Sequence, residues 1–399
     1  MRFPEFKGEW DEILIGDKFD FFSTNSLSRA KLDEESGEIL NIHYGDIHTK
    51  FPSIVNVKKV RIPFVSEEVD TNKINKYELC KNGDILIADA SEDYADIGKT
   101  IELQGITYEK IIGGLHTLLL RDKTTNVSPL FNGYLFQNEK LKKQIKIKAN
   151  GISVLGISKK ELQKISIKIP SIEEQKKISN LLFAIDQKLS FMEKNISNRK
   201  IIRKFYINKF YSEKKDTTNF LEDFIKQLNI KNKTNEEYDV LSINNKKGFV
   251  KQKDQFGEHE VASSDKHNYK IINNGNYAYN PARINVGSIA RLDEFENGII
   301  SPMYIMFNIN NKRLLSDYLK FYFESETFKY NMLKRLEGSV RQTLSFDALK
   351  NIPLFVPNTE SQDKISKFLK IYDIEINLLE QKLSTNKKYK QSLLSKLFC

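Results

Sequence analysis

Two stretches decide how this chain folds: IPSIEEQKKISNLL at Ile169–Leu182 and VPNTESQDKISKFL at Val356–Leu369. They lie 187 residues apart and agree at seven of fourteen positions. The register then holds without a gap from Gly151/Gly338 to Ser212/Cys399, 62 paired positions, with Ser158/Ser345, Leu162/Leu349, Asp186/Asp373, Lys200/Lys387 and Lys209/Lys396 among the identities. An ungapped match with the apolar pattern in phase is an internal duplication. Upstream of it the halves diverge: Asn82-Gly83-Asp84 faces Asn274-Gly275-Asn276 at an offset of 192, with little else in common. The chain therefore reads as four pieces: variable 1–150, repeated 151–212, variable 213–337 and repeated 338–399.

The repeated piece reads as a helix. Behind Pro170, the run Ser171-Ile172-Glu173-Glu174 has the form of a capping box, with the Ser171 hydroxyl accepting from the third amide and Glu174 reaching back. Pro357-Asn358 opens the second copy with a weaker cap, because Ser361 replaces the glutamate; that end is expected to fray. Neither copy then contains Pro or Gly, which predicts two helices of about 40 residues, roughly 60 Å each at 1.5 Å per residue. One seam runs Ile185, Leu189, Met192, Ile196, Arg199, Arg203, Tyr206, Phe210. The other runs Tyr372, Ile376, Leu379, Leu383, Asn386, Lys390, Leu393, Leu397. Steps of four and three are a coiled-coil period. Both seams turn polar at the same two places. A helix of this length cannot bury its stripe alone. The expected interface is therefore Ile185, Leu189, Met192 and Ile196 against Tyr372, Ile376, Leu379 and Leu383, antiparallel by pseudo-two-fold symmetry. Packing of each stripe on its own domain is the alternative. Residues 172–212 carry nine Lys/Arg against four Asp/Glu, and residues 358–399 carry eight against five. The two helices thus hold most of the net charge of +10. Such a face suits phosphates or acidic partners, or is simply solvated.

The variable pieces read as mixed α/β domains. Asp84–Ala88, Thr117–Leu120, Ile165–Ile169, Ile299–Ile300 with Met303–Phe307, and Ile352–Phe355 are short apolar runs bounded by turn residues, while Leu315–Leu336 has helical periodicity. At 399 residues and 40% hydrophobic the chain can form two or three cores. It has no apolar run near the roughly 20 residues of a membrane span. The start, MRFPEFKGEW, has no signal-peptide core. Two distant cysteines, Cys80 and Cys399, exclude a disulfide scaffold or a Cys-rich zinc site and suit a reducing cytoplasm.

Catalytic patterns are not met. Gly98-Lys99-Thr100 lacks the leading glycine of a phosphate loop, since Asp93 stands there. No glycine-rich dinucleotide turn follows a strand. Tyr279-Asn280-Pro281-Ala282 falls short of the Asn-Pro-Pro-aromatic motif of amino-group methyltransferases. Glu-x-Lys, at Glu174–Lys176 and Glu213–Lys215, lies on or beside a long helix rather than at a strand end. The five histidines are too scattered for a metal site, although His43 and His48 share a loop. His116 reads as a core or edge histidine. A non-catalytic chain without a bound metal or cofactor is expected.

Polar loops between apolar runs instead suit base reading. Arg can bridge guanine O6 and N7, and Asn or Gln can bridge adenine N6 and N7. The candidates are Tyr44, Asp46, His48 and Lys50; Ser91, Glu92, Asp93, Tyr94 and Lys99; Asn280, Arg283, Asn285 and Ser288; and Arg341 with Gln342. For each, a solvated loop or a structural turn is the competing reading.

The chain resembles the specificity subunit of type I restriction-modification systems over essentially its full length. The resemblance rests on RFPEFKGEW, on GDILIADASEDYADIGK at Gly83–Lys99, on YNPARINVGSIA at Tyr279–Ala290, and on a doubled Pro-x-x-Glu-x-Gln-x-x-Ile. That motif falls at Pro170, Glu173, Gln175 and Ile178 and again at Pro357, Glu360, Gln362 and Ile365. The resemblance implies two α/β target-recognition domains joined by two long antiparallel coiled-coil helices. Each domain would read one half of a split double-stranded DNA site, with the helices as a ruler between halves. It also implies docking of two methyltransferase subunits that bind S-adenosylmethionine, and of ATP-dependent restriction subunits. A duplicated coiled-coil scaffold without DNA contact is the rival reading.

Overall fold

The computed structural model describes residues 2–70, 78–124, 127–152, 154–212, 219–234, 236–245, 247–256, 266–338 and 342–398. The chain divides into two units, Met1–Glu193 with Lys382–Cys399, and Lys194–Gln381. Both long helices form, as Ile172–Phe210 and Thr359–Leu397, 39 residues each. Each is longer than one domain core can cover, and each gives one end to either unit.

In the first unit a five-stranded sheet runs in the order Phe19–Phe22, Thr117–Asp122, Ile85–Ala88, Thr100–Gln104, Ile54–Asn56, parallel only at the last pair. Ile85–Ala88 is buried on both faces, which is why it reads as an unbroken apolar run. Ile85, Ile87 and Leu120 face Phe131, Tyr134, Leu141 and the helix-borne Ile178, Leu182, Leu393, Leu394, Leu397 and Phe398. Leu86, Ala88 and Leu119 face Ile42, Ile47, Val55 and Ile111.

The second unit builds the same sheet with fewer strands. Ile225–Leu228, Ile305–Ile309, Tyr277–Tyr279 and Ile289–Arg291 follow one another, all antiparallel. Tyr277, Tyr279 and Phe307 pack on Tyr318, Tyr322 and Leu349, and on Ile207, Tyr211 and Leu369 from the long helices.

The offset of 187 continues upstream of the window seen in sequence. It relates Lys110–Gly113 to Asn297–Ile300, Glu139–Lys148 to Glu326–Leu333, and Lys159–Gln163 to Phe346–Lys350. Helix caps repeat with it: Asn138 and Ser325, then Ser158 and Ser345, each accept from amides of the following turn.

Within each unit the two long helices run antiparallel. Asp186 pairs with Lys390 and Glu193 with Lys387 in the first unit; Arg199 pairs with Glu375 and Arg203 with Asp373 in the second. Leu189, Met192, Ile196 and Ile376 are buried on the seam, and Ile185, Tyr372, Leu379 and Leu383 are half-buried.

Four local expectations change. The Ser171 hydroxyl does accept from the Glu174 amide at 3.4 Å, but Glu174 does not reach back. Its carboxylate is buried against Arg2, at 2.7 and 2.6 Å, and Trp10 Nε1 at 3.2 Å, so it straps the N-terminal segment to the helix. The second helix is capped: Asn358 Oδ1 accepts from the Ser361 amide at 2.9 Å. Leu315–Leu336 is two helices, Ser316–Tyr322 and Glu326–Leu333, because the Ser325 hydroxyl caps the second one at the Phe328 amide. Ile352–Phe355 is not a strand and makes only a bridge from Pro353 to Phe220.

Candidate functional site

The recognition candidates of the first unit lie on the short helix Tyr44–Thr49, where the sequence suggested a loop, and on the Ala90–Lys99 segment, with His116 beside them. His48 Nε2 lies 3.0 Å from the Ala90 carbonyl, and Lys99 Nζ donates to the His48 carbonyl at 2.5 Å. The half-buried Tyr44 ring meets His43, His48 and His116 at 4.6, 5.8 and 5.3 Å. Asp46 is buried and accepts both guanidinium nitrogens of Arg29 at 2.8 and 2.9 Å; Lys50 closes on it at 3.0 Å. Ser91 is buried in a turn with Asp93, whereas Glu92 and Tyr94 are exposed, with Lys146 Nζ 5.5 Å from the Tyr94 ring centre.

Of the two alternatives for His116, core or edge, the core one is not met: its side chain is 51% exposed, 3.3 Å from the Asp89 carboxylate, on a left-handed backbone with φ of 53°. Left-handed non-glycine residues concentrate where a site needs a particular direction of side chain. Burial, then Arg29, holds His43 below the usual histidine range; its Nδ1 accepts from the Gly45 amide at 3.1 Å. Burial raises the Asp89 carboxyl, and His116 opposes it. No group of three or more metal-ligating side chains lies among the described residues, His43 and His48 included.

In the second unit Asn280 and Ser288 are buried and shape the loop. Asn280 Oδ1 accepts from the Ala282 amide at 3.1 Å, its Nδ2 lies 3.5 Å from Met303 Sδ, and its amide donates to the Ser288 carbonyl. Arg283 and Asn285 are exposed beside Val286, as are Met303 and Gln342. Arg341 lies outside the described residues. Met303 occupies the place of His116, 187 residues on. One frame therefore presents imidazole, phenol and carboxylate in the first unit, and guanidinium, amide and thioether in the second.

The polar breaks in the helix seams are anchor points. In the first unit Lys390 bonds Asp186 at 2.6 Å and Gln137 at 3.3 Å, its Nζ 5.5 Å from the Tyr134 ring centre. In the second, Arg203 bonds Asp373 at 2.5 Å and Glu324 at 2.7 Å, its Cζ 5.6 Å from the Phe321 ring centre. Every member of one cluster maps to the other at the same offset of 187. A buried ion pair that loses one partner is destabilised by about 3–5 kcal/mol; Asp373 and Glu324 remain 37% and 40% exposed, which discounts that. Arg203→Leu is expected to destabilise the second unit by about 2 kcal/mol in denaturant unfolding. Arg203→Lys should recover only part, since it cannot bridge both carboxylates; equal stability of all three proteins would refute the anchor.

Apolar side chains also stand exposed on the helices, and they too repeat. Phe191 and Tyr389 are exposed in the first unit, and their equivalents Leu378 and Ile202 in the second. Exposed apolar groups clustered on one face mark partner surfaces.

The family model for the type I restriction modification DNA specificity domain matches residues 7–199. A Methanocaldococcus jannaschii protein described as a type I restriction enzyme MjaX specificity subunit is 23% identical over 354 residues, covering 83% of this chain and 81% of its own. The type I restriction-modification S subunit from M. genitalium superposes with a TM-score of 0.56 at 15% identity over 98% of this chain and 96% of that one. A chain from a structure concerned with complex assembly and conformational transition of the type I system superposes at 0.59, with 11% identity and 98% of each chain covered. At these identities the solved structures speak for the fold: two α/β units joined by long helices.

Proposed function

We propose that this chain is the specificity subunit of a type I restriction-modification complex, a reading supported by the match of residues 7–199 to the family model for the DNA specificity domain of such systems. Its two heads, residues 1–150 and 213–337, each read one half of a bipartite duplex target. The helix pair sets the separation of the halves and docks methyltransferase subunits. The observation that carries this reading is one duplicated frame with two chemically unlike tips. A symmetric protein reads a symmetric site, and unlike tips on a shared frame read a split, asymmetric one.

The subunit itself catalyses nothing. S-adenosylmethionine is held by the methyltransferase partners and ATP by restriction subunits. Two methyltransferase subunits fit, because the exposed apolar positions on the helices come in equivalent pairs. The complex works in the cytoplasm on chromosomal and incoming DNA. The heads hold little net charge, so the isolated subunit binds DNA weakly and its partners add phosphate contacts.

Exchanging residues 213–337 for the corresponding piece of another such chain tests this reading. With methyltransferase partners present, the methylated adenines should change in one half of the target only, as read by genome-wide methylation mapping. A change in both halves, or DNA binding unaffected by the exchange, would overturn it.

A further inference from the structure

The first unit carries a hairpin closed by a backbone bridge, and the second carries a bridge at the same place in the frame. In the first, the Asn150 and Gly156 backbones exchange hydrogen bonds at 2.9 and 2.7 Å; in the second, Glu337 and Thr343 do so at 2.9 and 2.8 Å. Both are tied to the recognition loops. The Ile157 amide donates to the Asp89 carbonyl at 2.8 Å, and the Leu344 amide to the Pro281 carbonyl at 3.1 Å. In the first unit Leu155 and Gly156 also pair with Ser91 and Ala90 as a short ladder. The turn is built on Gly151, whose φ is 136°; a Cβ there would meet the Val154 carbonyl oxygen at 2.0 Å, so the hairpin depends on glycine.

What the first hairpin presents is apolar. Ile152 is fully exposed, at 103%, and Val154 at 53%. Exposing isoleucine is unfavourable in a lone protein, and burying its side chain stabilises by about 1.5–3 kcal/mol. The flanks point to the occupant. The preceding helix, Glu139–Lys148, holds five lysines and one glutamate, with Lys140, Lys143 and Ile147 on its exposed face. The following helix opens with Lys159 and Lys160. An apolar tip between two lysine-bearing flanks complements a DNA groove, with phosphates on either side and base edges between.

We infer that Ile152, in the repeated piece directly behind the first head, enters the major groove of the half-site which that head reads, and that it recognises thymine there through its C5-methyl group. This deepens the proposed function and rests on it. Thymine is the base whose major-groove edge offers an apolar group, so an aliphatic side chain selects it. At the offset of 187 the sequence of the second half sets Ser339 against Ile152 and Arg341 against Val154, so the two halves differ in side-chain chemistry along this stretch.

The test uses the complete methyltransferase complex and its cognate duplex, with each thymidine of the first half-site replaced in turn by deoxyuridine, which lacks only the methyl group. One position should lose roughly fourfold in affinity, the equivalent of the ~0.8 kcal/mol of a buried methyl carbon. Ile152→Ala should lose several-fold on normal DNA and become indifferent to deoxyuridine at that position; Val154→Ala should have a smaller effect. Three outcomes overturn the inference: no deoxyuridine-sensitive position in that half-site, an Ile152→Ala complex that keeps the wild-type sensitivity, or an Ile152→Ala chain that fails to assemble with its methyltransferase subunits. If the wild-type complex shows no preference for its target at all, the proposed function fails instead, and the two failures are distinct.

Discussion

Deleting residues 392–399 is expected to unfold the first unit while leaving the second intact. Leu393, Leu394, Leu397 and Phe398 are buried in the first unit's core, more than 190 residues from the nearest of its other parts in sequence. Phe398 packs edge-on to Trp10 at 6.2 Å and against Phe131 at 5.6 Å, and its carbonyl accepts from Asn138 Nδ2 at 2.8 Å. Removing a single buried Leu or Phe side chain costs about 2–5 kcal/mol. Losing four at once is on the order of 10 kcal/mol, which matches the whole stability of a typical domain. The core of the second unit draws its helix contribution from Ile207, Tyr211 and Leu369 instead. Hydrogen exchange should show protection lost over residues 11–169 and retained over 220–356. The mirror-image change is Tyr211→Ala, since the Tyr211 ring packs tilted against Tyr318 at 4.7 Å and its hydroxyl donates to the Tyr318 carbonyl at 2.7 Å. It should weaken the second unit alone. Protection unchanged in the first unit after the deletion would mean that the C-terminal helix end contributes nothing to that core.

This closure shows why the sequence is legible at one level and opaque at another. The two helices and their duplication were readable because an uninterrupted 39-residue helix needs a strict apolar repeat, and a repeat survives substitution. The domain pieces drawn from sequence were contiguous, as periodicity in a window always makes them. Nothing local to Leu393 or Phe398 reveals that the surface they cover begins at Trp10. The upstream extension of the repeat was hidden for a related reason. Asn138 and Ser325 do one capping task with different side chains, and Phe131 and Tyr318 fill one core position. Identity is lost while the physics is kept.

The recognition tips were legible only in part. Hydrogen-bonding side chains in polar loops include Arg283 and Asn285, which are exposed, but also Ser91, Asn280 and Ser288, which are spent on holding their own loops. Short polar side chains favour such turns as much as they favour bases. His116 reads as a core or edge histidine because its neighbours in GGLHTLLL look like a strand, and Ile152, Val286 and Met303 offer no side-chain hydrogen bond to draw notice. Their signal is exposure, which one sequence does not contain.

The doubled glutamine of Pro-x-x-Glu-x-Gln is the residue through which sequence conservation between the halves becomes mechanical. Gln362 is fully buried at the start of the second long helix. Its Nε2 donates to the Pro357 and Arg313 carbonyls at 2.7 and 2.8 Å, and its Oε1 accepts from the Leu315 amide at 2.8 Å. Gln175 repeats this with the Pro170 carbonyl at 3.0 Å and the Ser128 amide at 3.3 Å. Each glutamine thus stitches the first turn of a long helix to the segment leading into the head's helices. No other side chain of that length offers two donors and an acceptor together. Gln362→Leu keeps the volume but strands one amide and two carbonyls, at about 1–3 kcal/mol for each buried group left unpaired. A loss of about 3–5 kcal/mol in the second unit is expected; Gln175→Leu, with fewer and longer bonds, should lose about 2 kcal/mol in the first. Gln362→Glu separates hydrogen bonding from packing. A buried carboxylate facing two carbonyls has its pKa raised, so its penalty is absent below the unfolded-state pKa and grows to full size as pH rises through the folded one. That variant should therefore be most stable at about pH 4 and below, short of wild type by one unpaired carbonyl because a protonated carboxyl has a single donor, and fall below the leucine variant at pH 8, because an unpaired charge is costlier to bury than an apolar group. A Gln362→Glu protein with the same pH–stability profile as wild type would mean that water reaches this site, and the glutamine would then be a surface residue rather than the pin between helix and head.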